Sequence, residues 1–352
     1  MVIHPPSTVH MRKTYFILLL YFLVCDPLVR AQSRIDSIQF FTDTSVLNVT
    51  LTTDMTKLIN QKSKNEFQKA TFACKLPDSS TISEEINLNA RGVFRRSYCF
   101  IPPLKLNFHT PTSPRLYPLN SLKLVCPCRN NATYEQYLLK EFLIYKMYNL
   151  LTEKSFRVRL LNLTYKDSRG KKKPFTGYSF LVEDVNAMAK RNHCREWKKG
   201  KVGTESTQRD QMTLVAVFQY MIGNTDWAVP NMHNIKLIYY RKDSIATPYA
   251  VPYDFDYSGL VNTDYAVPAE ELGTQTVKER MYRGFPRTIG ELQDVFNIFN
   301  QQKDSIYSLI KNFEPLSVQN KKEMIWYLDD FYKTINNRYE IQSVFIDNAR
   351  QQ

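Results

Sequence analysis

Several hydrolytic chemistries have no residues to run on in this sequence. No Gly-x-Ser-x-Gly elbow and no His-Glu-x-x-His pair occurs, which removes the serine-hydrolase and zinc-protease mechanisms. No cysteine pair has C-x-x-C spacing: Cys126-Pro-Cys128 is one residue too short. No histidine pair follows at zinc-finger distance, so a structural zinc site of that kind is excluded. Glycine is sparse, 10 in 352 residues, and nowhere gathers into a glycine-rich phosphate loop. No aromatic residues interleave with the basic runs Lys171 to Lys173 and Lys198 to Lys201, so no nucleic-acid partner is expected. No internal repeat and no low-complexity segment occurs.

What remains is a foldable, basic chain. Its length suffices for one large domain or two lobes with a real core. A hydrophobic content of 43% and an aromatic content of 13% argue against disorder. The first 31 residues read as a secretion signal. Met11-Arg-Lys-Thr is a basic start, Tyr15 to Val24 an apolar run too short to span a membrane, and Val29-Arg-Ala31 a cleavage site. The competing reading is a lipid anchor at Cys25. Removing the signal takes three positive charges and one negative from the formal +13 and leaves +11, which favours anionic partners. The expected location is secreted, periplasmic or in the cell envelope, with no transmembrane span in the mature chain. Five cysteines then remain, an odd number, so at least one thiol stays free. Cys74 and Cys99, in neighbouring strand-like segments, are the first pair expected to bond.

Residues 32–183 read as β-rich with one long helix, and residues 184–352 as mainly helical. Val46 to Thr52 alternates, Ala70 to Leu76 follows, and Pro77-Asp-Ser-Ser80 is a turn before Ile86 to Ala90. Arg91 to Phe108 follows, with Gly92 between two strands, where Arg91 and Gly92 would offer a guanidinium and backbone N–H groups to phosphate. Lys105, between Leu104 and Leu106, needs an anion if it points inward and is ordinary if it points outward. Lys123 offers the same pattern. Residues 134–151 carry helical periodicity through Tyr137, Leu138, Phe142, Tyr145, Tyr148 and Leu151, with Glu141 beside that face. Phe156 to Tyr165 and Gly177 to Glu183 form a hairpin. Met212 to Ile222 is a helix ended by Gly223, Ile235 to Tyr240 a strand, and Ile289 to Ile310 and Ser317 to Phe345 are helices. Strands first and helices later is the α+β class.

Two acidic stretches follow short apolar elements: Gly223-Asn-Thr-Asp226-Trp-Ala-Val-Pro-Asn231-Met-His-Asn234 and Pro252-Tyr-Asp254-Phe-Asp256. Converging aspartates repel one another, and a divalent cation offsets that cost; carboxylate oxygens with an Asn carbonyl suit Mg²⁺. An aspartate left off the metal orients or deprotonates a hydroxyl. The same residues would also suit a calcium site or helix caps.

Asp226 to Asn231 has the D-x-x-x-x-N spacing of a protein-kinase catalytic loop, and Asp254-Phe-Asp256 is similar to the kinase metal-binding segment. With Ala90-Arg-Gly92, Lys105 and His233-Asn234, the chain resembles the CotH-type kinases, the spore-coat-protein-H family of secreted atypical protein kinases. The resemblance covers about residues 85–300. It implies a bilobal protein-kinase-like fold, with a β-rich N-terminal lobe and a mainly helical C-terminal lobe. It implies Asp226 as the catalytic aspartate, and Asn231 or Asn234 with Asp254 and Asp256 around Mg²⁺ or Mn²⁺. It also implies Lys105 on the ATP phosphates with Glu141 as its partner and Lys123 as substitute, and the strand ending at Glu183 against adenine. The implied activity is transfer of the ATP γ-phosphate to protein hydroxyls. The departures are the missing His-Arg before Asp226, Asp256 in place of a glycine, and the absent glycine-rich loop. Two other functions fit the same residues: a non-catalytic, kinase-fold surface or envelope binding protein, and a metal-dependent phosphoesterase.

Overall fold

Seven strands carry the first half of the molecule: β1 (Leu47–Thr53), β2 (Gln68–Lys75), β3 (Thr81–Ala90), β4 (Leu104–Asn107), β5 (Ser121–Val125), β6 (Val158–Asp167) and β7 (Phe175–Val182). The computed structural model describes residues 1–2 and 40–350, apart from 65, 77–78, 109–115, 117–118, 243–246 and 269. The expected leader, its cleavage site and Cys25 lie outside the described residues, as does part of the turn expected at Pro77.

The strands close into a barrel in the order β1-β2-β3-β4-β5-β7-β6. Neighbours run antiparallel except β1 and β6, whose parallel pairing seals the barrel, with Leu47 opposite Leu161 and Thr53 opposite Asp167. Strand alternation decides which side chains fill it. Leu51, Phe72, Leu88, Leu104, Leu122 and Leu181 are among the buried residues of the interior.

The outward residues of β6 and β7 are apolar too. Val158, Leu160, Phe180 and Val182 belong to a second core shared with a 20-residue helix, α3 (Ala132–Leu151), and with the helices that follow. Two short helices precede it, α1 (Met55–Asn60) and α2 (Phe94–Tyr98). Asn131 caps α3 by accepting from the Tyr134 amide, and residues all around α3 are buried, as expected of a central rather than a surface helix. After the barrel come α4 (Val185–Arg191), β8 (Cys194–Glu196), α5 (Arg209–Ile222), β9 (Ile235–Tyr240), β10 (Tyr249–Pro252), α6 (Ile289–Lys311), α7 (Val318–Ile335) and α8 (Arg338–Ile341). Strands β10, β9 and β8 form a separate three-stranded sheet.

This architecture overturns the expected bilobal kinase-like fold. The β-rich part is a closed barrel, and its β6–β7 wall shares one continuous core with the helical half. The half expected to be helical also carries its own sheet. Three local expectations are corrected as well. Phe94–Tyr98 is a helix where a strand was expected. The last expected helix breaks after Ile335, where Asn337 turns its side-chain oxygen to the amides of Tyr339 and Glu340 and starts a new one. The disulfide joins Cys99 to Cys128, not to Cys74. Cys74 is buried inside the barrel on β2, and Cys126 and Cys194 are buried as well. Among the described residues no helix is long and apolar enough to cross a membrane.

Candidate active site

The two acidic stretches meet because one short-range contact ties their backbones together. Helix α5 ends at Gly223, which takes the left-handed conformation (φ +64°) that a residue with a side chain rarely adopts. The Gly259 amide donates to the Gly223 carbonyl at 3.0 Å and the Leu260 amide to the Ile222 carbonyl at 3.0 Å. The segment after β10 is thus stitched to the end of α5. Buried Asn224 holds the intervening loop: its side-chain oxygen accepts from the Asp226 amide at 3.0 Å.

The β9–β10 hairpin supplies the second link. Ile235 pairs with Pro252, and the Tyr253 amide donates to the Asn234 carbonyl at 3.0 Å, so Asn234 and Asp254 flank the hairpin's open end. The Asn234 Nδ2 donates to Asp226 Oδ2 at 2.9 Å and to the Asp226 carbonyl at 2.8 Å, which leaves its Oδ1 for another partner. His233 Nε2 lies 2.6 Å from Asp226 Oδ1. Asp226 remains 38% exposed at its side chain.

Asp254 is held in the left-handed region at φ +64°, a conformation sparsely used by residues other than glycine and concentrated at functional sites. Its amide donates to the Tyr145 hydroxyl of α3 at 2.8 Å. The next residue, Phe255, is fully buried, 4.8 Å from the Tyr145 ring and 5.7 Å from that of Phe218. Asp254 reaches Arg91 at 4.0 Å and stays 32% exposed. Asp256 is buried and accepts from the Tyr265 hydroxyl at 3.0 Å and from Arg95 at 3.5 Å. Burial pushes its carboxyl up to about 6; the charge of Asp254 adds to this, Arg95 opposes it, and Asp226 contributes a further upward push. All three aspartates therefore share one electrostatic neighbourhood.

The remaining expected residues divide. Arg91, just after β3, stands beside Asp254, and Gly92 follows it in the chain. Lys105 does not join them. It is exposed on β4, directly across from Lys123 on β5, and the expected Lys105–Glu141 pair does not form. Lys123, also on the outer face of the barrel, takes the place beside the site, its ammonium 3.7 Å over the Tyr253 ring. Burial, then the charge of Arg91, lowers its pKa to about 7. Glu141 is buried on α3 and its carboxylate faces Arg95 at 3.9 Å. Burial, then Asp256 and Asp254, hold its carboxyl well above the usual range. Glu183 is spent elsewhere, paired with Arg191 at 2.9 Å and accepting from the Arg157 amide. Asn231 is exposed and caps its own turn by accepting from the His233 amide. The kinase-like spacing at Asn231 therefore misleads, and Asn234 is the residue that touches Asp226.

Arg95, His233 and Tyr145 carry much of the geometry, yet no role was read for them from sequence. Arg95 lay in a stretch read as strand, and the register of α3 that aims Tyr145 at Asp254 is a tertiary fact.

The donor set is oxygen-rich, which suits a hard divalent cation, but it is only partial. Among the described residues no three His, Cys, Asp or Glu side chains converge closely enough to hold an ion alone. Asp256 is occupied by Arg95 and Tyr265, which leaves Asp254 and the Asn234 oxygen. That is what an ion bound mainly through phosphate oxygens and water needs from a protein. The sequence matches no protein-family model, and a search among curated proteins finds no relative.

Proposed function

We propose that this protein is a nucleotide-dependent phosphotransferase, as its resemblance to the CotH-type kinases implies, built on a different scaffold from the one that resemblance suggests. The observation that carries the reading is the contact of Asp226 with Asn234, itself seated beside Asp254 at the mouth of the β9–β10 hairpin. Asp254 and Asn234 would hold Mg²⁺ or Mn²⁺. The bound ion supplies charge neutralisation on the phosphates. Lys123 and Arg91 face the same ground and would take ATP phosphate oxygens; phosphate restores the proton that burial strips from Lys123.

The Asp226–His233 pair orients the acceptor hydroxyl and takes its proton. The acceptor oxygen forms a bond to the γ-phosphorus, and the bond to the β–γ bridging oxygen breaks. Its electron pair leaves with the nucleoside diphosphate. Glu141 and Arg95 act at one remove, holding Asp256 and so the loop that carries Asp254.

The test is incubation of the full chain with γ-labelled ATP and Mg²⁺ or Mn²⁺, following label on the protein. Asp254→Ala is expected to abolish labelling with the fold intact. Asp226→Asn is expected to keep nucleotide affinity and lose ~10²–10⁴-fold in transfer, the range for removing a general base. Wild-type labelling by Asp254→Ala sinks the reading. Unlabelled protein with no nucleotide-dependent thermal shift favours a non-catalytic binding role, and phosphate release from a model ester without nucleotide favours hydrolysis.

A further inference from the structure

A cavity of about 930 Å³ opens beside Asp226 and His233, and the nucleotide reading leaves it unused. Much of its wall is apolar, from Trp227, Val267, Leu272 and Val277. Three arginines also line it, and they are not equivalent. Arg280 is consumed: it pairs with Asp330 and donates to the carbonyls of Met221 and Tyr327. Arg283 and Arg350 have no carboxylate within ion-pair distance among the described residues.

Arg283 is anchored to the residues on either side of the aspartate. Its Nη1 donates to the carbonyl of Thr225 and, at 3.0 Å, to that of Trp227. Its other nitrogens are left for a partner. Burial lowers its pKa and the charge of Arg350 lowers it further, while Asp226 and Glu271, which also line the cavity, oppose the shift. The Arg350 guanidinium stands 5.5 Å from the Phe285 ring and its amide donates to Gly284, which ties the end of the described chain to this wall. Tyr282 adds a buried hydroxyl without a hydrogen-bond partner among the described residues.

Half-buried Arg283 and exposed Arg350 bring two guanidiniums without a carboxylate partner to one cavity, and guanidinium forks match carboxylate and phosphate oxygens. We propose that the cavity is the acceptor site and that the acceptor is a compact alcohol carrying its own phosphate or carboxylate group. Arg283 and Arg350 hold that anion, and the hydroxyl is thereby presented to Asp226. The cavity volume is of the size that takes small molecules, roughly 300–1,000 Å³. This assignment rests on the phosphotransferase reading for its chemistry, but the anion site stands on its own contacts.

The experiment is calorimetric titration of the full chain with glycerol 3-phosphate and, separately, with glycerol, without nucleotide. The wild type is expected to bind the phosphate ester and not glycerol. Arg350→Gln, at an exposed position, is expected to weaken binding roughly 10-fold, the loss for one charge-assisted contact. Arg283→Gln is expected to weaken it at least as much, provided its circular dichroism matches wild type. Absence of binding in the wild type, equal binding of glycerol, or wild-type affinity in Arg350→Gln overturns the assignment. ATP affinity is measured on the same samples. Loss of ATP binding with the anion site intact removes the phosphotransfer reading alone, and the reverse removes the acceptor site alone.

Discussion

Lys123 concentrates the electrostatics of the site in one side chain. Its ammonium sits over Tyr253, and burial with the charge of Arg91 pushes its pKa down to about 7 from the 10.5 of an ordinary lysine. Between those values the unfolded chain carries a proton that the folded chain has shed. Stability from this group therefore rises as pH increases from about 7 towards 10.5. Thermal unfolding followed across that window should show the rise, and Lys123→Met should flatten it. A phosphate placed against the amine reverses the shift. ATP binding at a pH inside the window should then take up a proton, seen as a buffer-dependent binding heat that Lys123→Met removes. Identical heats in buffers of different ionisation enthalpy refute this. The sequence carried half of this: Lys105 and Lys123 both alternate with leucines, and both face outward from the barrel as a cross-strand pair. Only the arrival of Tyr253 from the far side of the molecule distinguishes them, and no local pattern encodes that arrival. Asn231 and Asn234 pose the same problem, since spacing favours the first and the hairpin selects the second.

Among the elements, β9 and the closing turn of α5 were legible because their signals are local. Apolar spacing from Met212 to Ile222 stops at Gly223, and Ile235 to Tyr240 is β-rich in composition. The barrel was not legible as a barrel. Its closure depends on β1 lying parallel to β6, a pairing between distant segments with no signature in either. The same holds for the Cys99–Cys128 bond, which joins positions 29 residues apart. The segment from Asp254 to Gly259 joins the hairpin to α5, and Gly259 is its tightest point. A Cβ there would meet the Val277 carbonyl at 2.4 Å and the Lys278 Cα at 2.9 Å, both backbone atoms that cannot swing aside. Gly259→Ala should therefore cost about 1–3 kcal/mol, as overpacking does, and displace Asp254 and Asp256 from Asp226. A drop in Tm together with weakened Mg²⁺-ATP binding is the expected pair of results. A wild-type Tm would show that this stitch does not position the site.

At the scale of the whole molecule, the decisive fact is that the wall between barrel and helices belongs to both. Phe180 of β7 is fully buried, 5.9 Å from the Phe142 ring and 5.7 Å from that of Tyr145, the residue whose hydroxyl receives the Asp254 amide. Its neighbour Leu181 faces the barrel interior, so consecutive residues of one strand serve two cores. Two lobes joined by a hinge would unfold separately, and damage to one would leave the other's transition in place. Here one strand of the barrel also roofs α3, and neither half keeps a closed core without the other. Phe180→Ala should remove about 3–5 kcal/mol, the cost of a deleted buried ring. Calorimetry should then show one unfolding transition shifted downward as a unit, with the barrel's and the helices' signals moving together. Two transitions, with only one displaced by Phe180→Ala, would mean that the shared wall does not couple the halves. In that case the aspartates would owe their placement to the hairpin and the α5 turn alone.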